Sequence, residues 1–390
     1  MTRTLTAGFV PLVDAAPLIA AAERGFAANE GVDLRLLRQA SWASLRDHLN
    51  LGHIDCAQAL APLPIAAALG IGQVRADVAV PFVLSRGGNA ITLSLKLTDE
   101  IRKANGGTSP ADAKSWARAL AIALRQRAEP VTLAMVYPFS GHNFELRYWL
   151  AAAGIHPDRD VRLIAIPPPL MVESLRAGQI DGFCVGAPWN LIAAAGGLGE
   201  IVATKSEIFP HGIEKVLAMP LKLLGDDAGC ASLLRALEAA ARWCDQPVNH
   251  EDLAALLSRP EYLGTDPEQS LRSLRGQIKD PKSRPDPDYL YFSRLDANRP
   301  RREEALWIYA QMRRWGQVRG KNARAVRVAE TEVAAVFRPD VHARVFGDTV
   351  ADDARPIVAC DRVDFDGVSV DSYLQLFDLA TPYGADYRSL

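Results

Sequence analysis

The chain has 390 residues, 49% of them hydrophobic and 23% charged, an ordinary globular composition that is long for one core and comfortable for two lobes. Its 44 basic and 46 acidic residues leave a formal charge of −2, so no whole-chain basic field argues for nucleic acid or an anionic membrane as the main ligand. The five cysteines (Cys56, Cys184, Cys230, Cys244 and Cys360) are scattered without a C-x-x-C pair, which speaks against a disulfide framework and a zinc site.

Leu5 to Val10 reads as the first strand. It follows Met1-Thr2-Arg3-Thr4 directly, with no charged n-region, apolar h-region or cleavage site, so no export signal is expected. No apolar run reaches the roughly 18 residues of a membrane span. Asp14 stands at a helix-cap position ahead of Ala15 to Phe26, with Gly25 near the stop. Val32 to Gln39 is a second strand, and Ser41 or Ser44 can cap the helix that carries Leu45 and Leu49. That places Trp42 at a helix N-terminus beyond a strand end, where anions are readily held.

The stretch from Asp33 to Pro62 is written twice. Asp33-Leu34-Arg35-Leu36-Leu37 returns as Asp160-Val161-Arg162-Leu163-Ile164. Leu49-x-x-Gly52-x-Ile54-Asp55, running on to Ala61-Pro62, returns as Leu175-x-x-Gly178-x-Ile180-Asp181, running on to Ala187-Pro188, at an offset of about 126 residues. Each copy reads as strand, short helix, Gly turn and second strand, and parallel strands need such a crossover. Two distant copies imply two α/β lobes of one kind. Parallel sheets bind ligands at the carboxyl ends of their strands, so facing lobes offer one cleft between them.

Further along, Val78 to Leu84 and Ala90 to Leu95 read as strands, with Arg86-Gly87-Gly88-Asn89 as the crossing point between lobes. After the strand Val131 to Tyr137, Ser140-Gly141-His142 repeats the logic of Ser41-Trp42: strand end, capping Ser, helix start. The chain should return to the first lobe near Phe209 to Leu217. The expected division is residues 1–88 plus 214–390 for lobe 1, which includes a helical C-terminal part, and 89–213 for lobe 2. Around Arg313 and Arg314 the tail is locally basic, and it continues through Arg319, Lys321, Arg324 and Arg327; a solvated face is the usual reading of such a run, and Arg313 and Arg314 are the candidate contact surface for a protein partner.

Catalytic signatures are missing. There is no G-x-S-x-G, no H-E-x-x-H and no P-loop, and Gly196-Gly197-x-Gly199 lacks the context of a dinucleotide site. A binder rather than an enzyme is expected, with no cofactor and no metal. Trp42, Asn89, His142 and Lys215 each fall at a strand end, helix start or lobe crossover. An indole N–H, an amide, an imidazole and one cation suit a small oxyanion of low charge. Taken singly each has a plainer role: packing anchor, turn residue, helix cap and solvated surface charge. As a neutral tautomer at a helix N-terminus, His142 would leave anion affinity little changed between about pH 6 and 8.

Several runs are shared with a known family: Gly8-Phe9-Val10-Pro11-Leu12-Val13-Asp14-Ala15-Ala16-Pro17-Leu18, Ala40-Ser41-Trp42-Ala43-Ser44-Leu45-Arg46-Asp47, Gly88-Asn89-Ala90-Ile91-Thr92-Leu93-Ser94, His142-Asn143-Phe144-Glu145-Leu146-Arg147-Tyr148-Trp149-Leu150 and Gly182-Phe183-Cys184-Val185-Gly186-Ala187-Pro188-Trp189-Asn190. In combination they resemble the nitrate/bicarbonate-binding-protein family, which includes NrtA/CmpA-like transporter components and the NasS-type cytoplasmic nitrate sensor. The resemblance runs to about residue 320. It implies a two-lobed type II periplasmic-binding-protein fold, with parallel-type α/β sheets and a cleft between lobes. It also implies an anion held by Trp42, Asn89, His142 and Lys215, with Ser41, Ala43, Gly141 and Trp189 beside them. Lys215 favours nitrate or nitrite over calcium-assisted bicarbonate. Ala187 stands where transporter members look to carry Glu, which leans towards a cytoplasmic sensor with a NasT-like RNA-binding antiterminator as partner. The alternative is the solute-binding component of a nitrate or bicarbonate ABC transporter.

Overall fold

The computed structural model describes residues 2–225, 227–279, 284–318, 323–347 and 356–378. Its strands are β1 (Arg3–Phe9), β2 (Val32–Arg38), β3 (Cys56–Leu60), β4 (Val78–Gly87), β5 (Asn89–Ser94), β6 (Val131–Met135), β7 (Val161–Ala165), β8 (Gly182–Gly186), β9 (Gly199–Thr204), β10 (Ile213–Pro220) and β11 (Leu290–Tyr291). They form a six-stranded sheet in the order β11-β4-β10-β3-β1-β2 and a five-stranded sheet in the order β7-β6-β8-β5-β9.

Apart from the short edge strand β11, the two sheets share one plan. In each, the first strand lies between the second and third and is parallel to both. In each, a strand that arrives by crossing from the other lobe is inserted antiparallel between the third and fourth: β10 in the first sheet, β5 in the second. The expected parallel-type sheets are therefore mixed. An apolar run such as Ala90 to Leu93 is buried on both faces and shows the same composition whichever way it runs.

The duplicated Gly-x-Ile-Asp turn does the same work twice. Gly52 and Gly178 adopt left-handed φ of 73° and 68°, which a side chain would disfavour. The turn then aims Asp55 Oδ2 at the β1 amide of Thr6 (2.8 Å) and Asp181 Oδ2 at the β6 amide of Thr132 (2.9 Å). The amides of Asp55 and Asp181 return bonds to the same two residues' carbonyls, each at 2.8 Å. Each Asp thus pins the start of its lobe's third strand to the first. Ser41 and Ser140 likewise cap equivalent helices, Trp42–Asn50 and Gly141–Ala151, by accepting from Ser44 N and Asn143 N, each at 3.1 Å.

Asp14 does not cap a helix. It lies within the short 3-10 turn Val13–Ala15, and its carboxylate turns inward to Lys215 and Gln58. The helix behind it is Ala16–Glu23, shorter than expected, and Gly25 follows at φ 80°.

The helix Gly141–Ala151 has no solvent face, since every residue from His142 to Leu150 is buried. Its polar residues find internal partners: Arg147 pairs with Asp158 at 2.9 and 2.6 Å, and Trp149 Nε1 donates to the Ala113 carbonyl at 2.7 Å. The basic tail is not a solvated face either. Arg314 is buried against the rings of Phe377, Trp315 and Tyr148, and Arg313 pairs with Asp371 at 2.7 Å. That removes Arg313 and Arg314 as a docking surface. Arg319 and Lys321 lie outside the described residues, as do the side chains of Arg324 and Arg327.

Candidate functional site

The carboxyl ends of β1, β2, β3, β6 and β8 meet the crossover strands β5 and β10 at one buried polar cluster, as the carboxyl-end rule expects. Trp42 and His142 enter it from the first turns of the two equivalent helices. Asn89 enters from the first residue of β5, beside Gly186 of β8. Lys215 enters from β10, paired with Leu60 of β3. Register shifts on either side of Lys215 against β4 mark a bulge, and a bulge re-aims side chains. Neighbouring Glu214 and Lys215 consequently face each other, with Lys215 Nζ 2.7 Å from Glu214 Oε1.

All four expected residues are brought together and are nearly inaccessible, Trp42 at 1% and Asn89, His142 and Lys215 at 0% exposure. Several of their polar atoms have no hydrogen-bond partner: Trp42 Nε1, Asn89 Oδ1 and both ring nitrogens of His142. Unpartnered buried donors and acceptors are rare and costly, and here they converge on one place, which makes this cluster the candidate site for a small polar ligand. Asn89 is oriented by its other end, because Nδ2 donates to both oxygens of Glu145 at 2.9 and 3.2 Å. That leaves Oδ1 facing the cluster.

Lys215 differs from the single fixed cation expected. Its ammonium already lies 2.8 Å from Asp14 Oδ2 and 2.7 Å from Glu214 Oε1, and 5.5 Å from the Trp42 ring centroid. A second buried ammonium, Lys205, pairs with Glu214 and with Glu145 at 2.9 Å. His142 Nδ1 is 3.7 Å from Glu214 Oε1. Sequence reasoning missed Asp14, Gln58, Glu145, Lys205 and Glu214 as site residues. The signal was present for two of them. Glu145 sits in a helix with no polar face, and Glu214 sits inside an apolar strand.

Burial and the two lysines set the charges. Burial pushes the Glu214 carboxyl up, but Lys205 and Lys215 together outweigh it and hold Glu214 well below the usual range. For Asp14, burial dominates and Lys215 offsets it only in part, so its carboxyl is raised. Glu145 is raised in the same way, with Lys205 opposing. Both ammonium groups are disfavoured by burial yet raised by their carboxylates. Burial lowers His142 to about 3, with Glu214 opposing, so the imidazole is neutral: one nitrogen donates and the other accepts.

The remaining expected neighbours divide. Gly141 is a close approach, because a Cβ there would stand 2.5 Å from Glu214 Oε2 and 3.2 Å from Glu145 Oε1. Ser41 and Ala43 are half-buried on the helix that carries Trp42, with the Ser41 hydroxyl committed to its cap. Trp189 is buried and its Nε1 donates to the Pro11 carbonyl at 3.3 Å, so it ties the two lobes together and its N–H is already used. Val13 N to Ala187 O (2.9 Å) and Arg46 Nη1 to Tyr137 OH (2.7 Å) add further ties across the cleft. Among the described residues no group of three His, Cys, Asp or Glu is placed to hold a metal ion, and no helix is long and apolar enough to cross a membrane.

Two α/β lobes of one plan, closed over a buried cluster of unpartnered donors and acceptors, define a periplasmic-binding-type protein for a small polar ligand. The chain belongs to the NMT1-like family, whose family model matches residues 1–258. It is similar over 384 residues, at 30% identity, to the nitrate/nitrite binding protein NrtA of Synechococcus elongatus, covering 95% of this chain and 84% of that one. It is also similar over 321 residues, at 37% identity, to the nitrate import ATP-binding protein NrtC of Synechocystis sp., covering 80% of this chain. The chain spans 46% of the length of that longer relative. The crystal structure of the periplasmic nitrate-binding protein NrtA from Synechocystis superposes with a TM-score of 0.87 at 26% identity, covering 97% of this chain and 99% of that one. The alkanesulfonate-binding protein SsuA from Xanthomonas axonopodis, at a TM-score of 0.56 and 16% identity over 79% of this chain and 93% of that one, shares the fold alone.

Proposed function

We propose that this chain binds nitrate or nitrite between its lobes and signals or delivers that occupancy to a protein partner. The observation that carries the reading is the convergence of Trp42 Nε1 and His142, buried and unpartnered, on the Lys215 ammonium. Two neutral N–H donors and a cation suit a small monoanion. The likeness to proteins named as nitrate-binding, across almost the whole chain, supports it. Nitrate has four heavy atoms. At the ceiling of about −1.5 kcal/mol per atom for the smallest ligands, binding near −6 kcal/mol, or tens of micromolar, is expected.

One observation favours bicarbonate as a second reading. Asn89 Oδ1 is an acceptor with no donor, and bicarbonate carries an O–H where nitrate carries none. Calorimetric titration with nitrate, nitrite and bicarbonate, each with and without calcium, tests the two. Saturable nitrate or nitrite binding without calcium supports the main reading. Bicarbonate binding with no response to either nitrogen oxyanion replaces it.

For the output, the names of the similar proteins support a solute-binding role in a nitrate or bicarbonate transporter. The sensor role, cytoplasmic and acting on a NasT-like antiterminator, rests on the sequence resemblance and on Ala187. Mixing the chain with such an antiterminator separates the two roles. A complex that dissociates on adding nitrate supports the sensor, and no complex at any nitrate concentration leaves the transporter component.

A further inference from the structure

The site holds more negative than positive charge. Lys205 and Lys215 face Asp14, Glu145 and Glu214 within a network of contacts of 2.9 Å or less, a balance of two minus three, or −1, with His142 neutral. All five are at most 3% exposed. Adding a monoanion would leave −2 in a space closed to water, and an uncompensated buried charge is the costly case.

Lys215 is moreover already engaged on both sides. For its ammonium to meet an anion, one carboxylate must give way. Glu214 keeps a second cation in Lys205. Asp14 has Lys215 as its one ion-pair partner among the described residues. Asp14 Oδ1 is held by Gln58 Nε2, and Gln58 Oε1 is fixed by the Val10 amide at 2.9 Å, so this carboxyl stays in place when its charge changes. Its other oxygen, Oδ2, is paired with Lys215 by charge without hydrogen-bond alignment. Oδ2 also faces the bare Cα of Gly186: a Cβ there would lie 3.2 Å from Asp14 Oδ2 and 3.4 Å from the unpartnered Asn89 Oδ1. Both oxygens therefore border the same small space at Gly186, and Oδ2 has no neighbour there that would block a proton on it.

We infer that the anion is taken up together with one proton, that the proton settles on Asp14 Oδ2, and that Lys215 then turns its ammonium from Asp14 to the anion. The inference rests on the reading of this cluster as the nitrate or nitrite site. The balance is a carboxylate plus a proton from solvent giving a carboxylic acid, with the entering anion taking over the vacated ion pair. The site's charge stays at −1. Asp14 works through Lys215 and is a positioning residue.

The other groups around Asp14 do not supply this proton site near neutral pH. Glu214 is held ionised by two lysines, both ammonium groups are raised, and His142 titrates near 3. Cys184 and Tyr289 are raised by burial, and Tyr289 OH donates to the Gly88 carbonyl at 2.9 Å. Glu145 is the one competitor, also raised by burial, but its oxygens already take both Asn89 Nδ2 and Lys205.

The test is calorimetric titration of the full chain with sodium nitrate, and separately sodium nitrite, in HEPES, imidazole and Tris at one pH slightly above neutral. Observed heat plotted against the buffer's ionisation heat should give about one proton taken up per anion. Affinity should weaken about tenfold per pH unit around that pH, by linkage; the slope comes from Asp14, so the flat profile expected from a neutral His142 alone does not hold for the whole site. In Asp14→Asn, which mimics the neutral acid, both the proton count and the pH slope should fall to about zero. In Glu145→Gln the count should persist; the count, not the affinity, is the readout. Anion binding without proton uptake in the parent chain overturns the inference while leaving the anion site intact. A count that survives Asp14→Asn and vanishes in Glu145→Gln overturns the assignment to Asp14. No binding of nitrate or nitrite in any buffer overturns the anion site and this inference with it. If Asp14→Asn folds poorly, a parental count near one that is kept in Glu145→Gln still supports Asp14, and a parental count of zero overturns the inference.

Discussion

Removing Lys215 separates its structural from its ligand role. The ammonium is fully buried and bridges Asp14 and Glu214 at 2.8 and 2.7 Å. Lys215→Met keeps the stem and deletes the charge. Loss of one partner from a desolvated charged contact costs about 2–5 kcal/mol of binding, so nitrate affinity should fall at least about thirtyfold. From an expected tens of micromolar, that puts the dissociation constant at about a millimolar or weaker. The fold should suffer too, because Asp14 is left without a cation, and breaking a buried pair costs about 3–5 kcal/mol. Part of that loss is recovered when Asp14 protonates, so the fall in Tm should be larger at about pH 8 than at about pH 5. Adding Asp14→Asn to Lys215→Met removes the stranded charge, so the double variant should regain stability without regaining nitrate. Calorimetry and thermal denaturation on the three proteins are the assay. Parental nitrate affinity in Lys215→Met would refute the placement of the anion at this ammonium. Recovery of binding together with stability in the double variant would show that the single variant had lost only its fold.

Other outcomes follow from the same geometry. Trp42→Phe keeps an aromatic side chain but removes the unpartnered Nε1–H; a hydrogen bond to a charged ligand is worth about 1.5–3 kcal/mol, so affinity should drop roughly ten- to hundredfold by calorimetry, with some fall in Tm from the cavity left by the smaller ring. Asp55→Ala and Asp181→Ala each strand a backbone amide in equivalent turns, and denaturant midpoints should show matched losses of about 1–2 kcal/mol. His142 titrates near 3 in the folded chain against an ordinary 6.5. Between those values the unfolded chain binds the extra proton, so this residue's contribution is present above about pH 6.5 and lost as pH falls. Relative to His142→Gln, the parent should lose roughly 2–3 kcal/mol of stability between about pH 7 and pH 4.5, measured by urea unfolding at the two pH values.

Much of the frame was legible because it rests on local rules. The repeated Gly-x-Ile-Asp turn announces two like lobes, since the left-handed Gly and the Asp that reaches back to the first strand are both local devices. Ser41 and Ser140 are legible as caps, and each cap fixes the helix start that aims Trp42 or His142. What was not legible depends on pairings between distant segments. The antiparallel sense of β5 and β10 leaves no mark in a run buried on both faces. Lys215 looks like a lone cation along the chain, yet its partners come from a turn about 200 residues earlier and, across a bulge, from the residue next to it. Asp14 carries the composition of a helix cap, and only the fold shows that its carboxylate points the other way. The basic look of the tail misleads for the same reason: Arg314 is covered by aromatic rings from Tyr148, Trp315 and Phe377.

The central claim is that a small monoanion sits among Trp42, Asn89, His142 and Lys215, and a crystal structure of the chain grown with sodium nitrate tests it most directly. One planar ligand is expected within hydrogen-bond reach of Trp42 Nε1, one His142 nitrogen and Lys215 Nζ, with that ammonium drawn away from Asp14. Nitrate bound elsewhere, with Lys215 still 2.8 Å from Asp14 Oδ2 and the indole N–H still unpartnered, would contradict it.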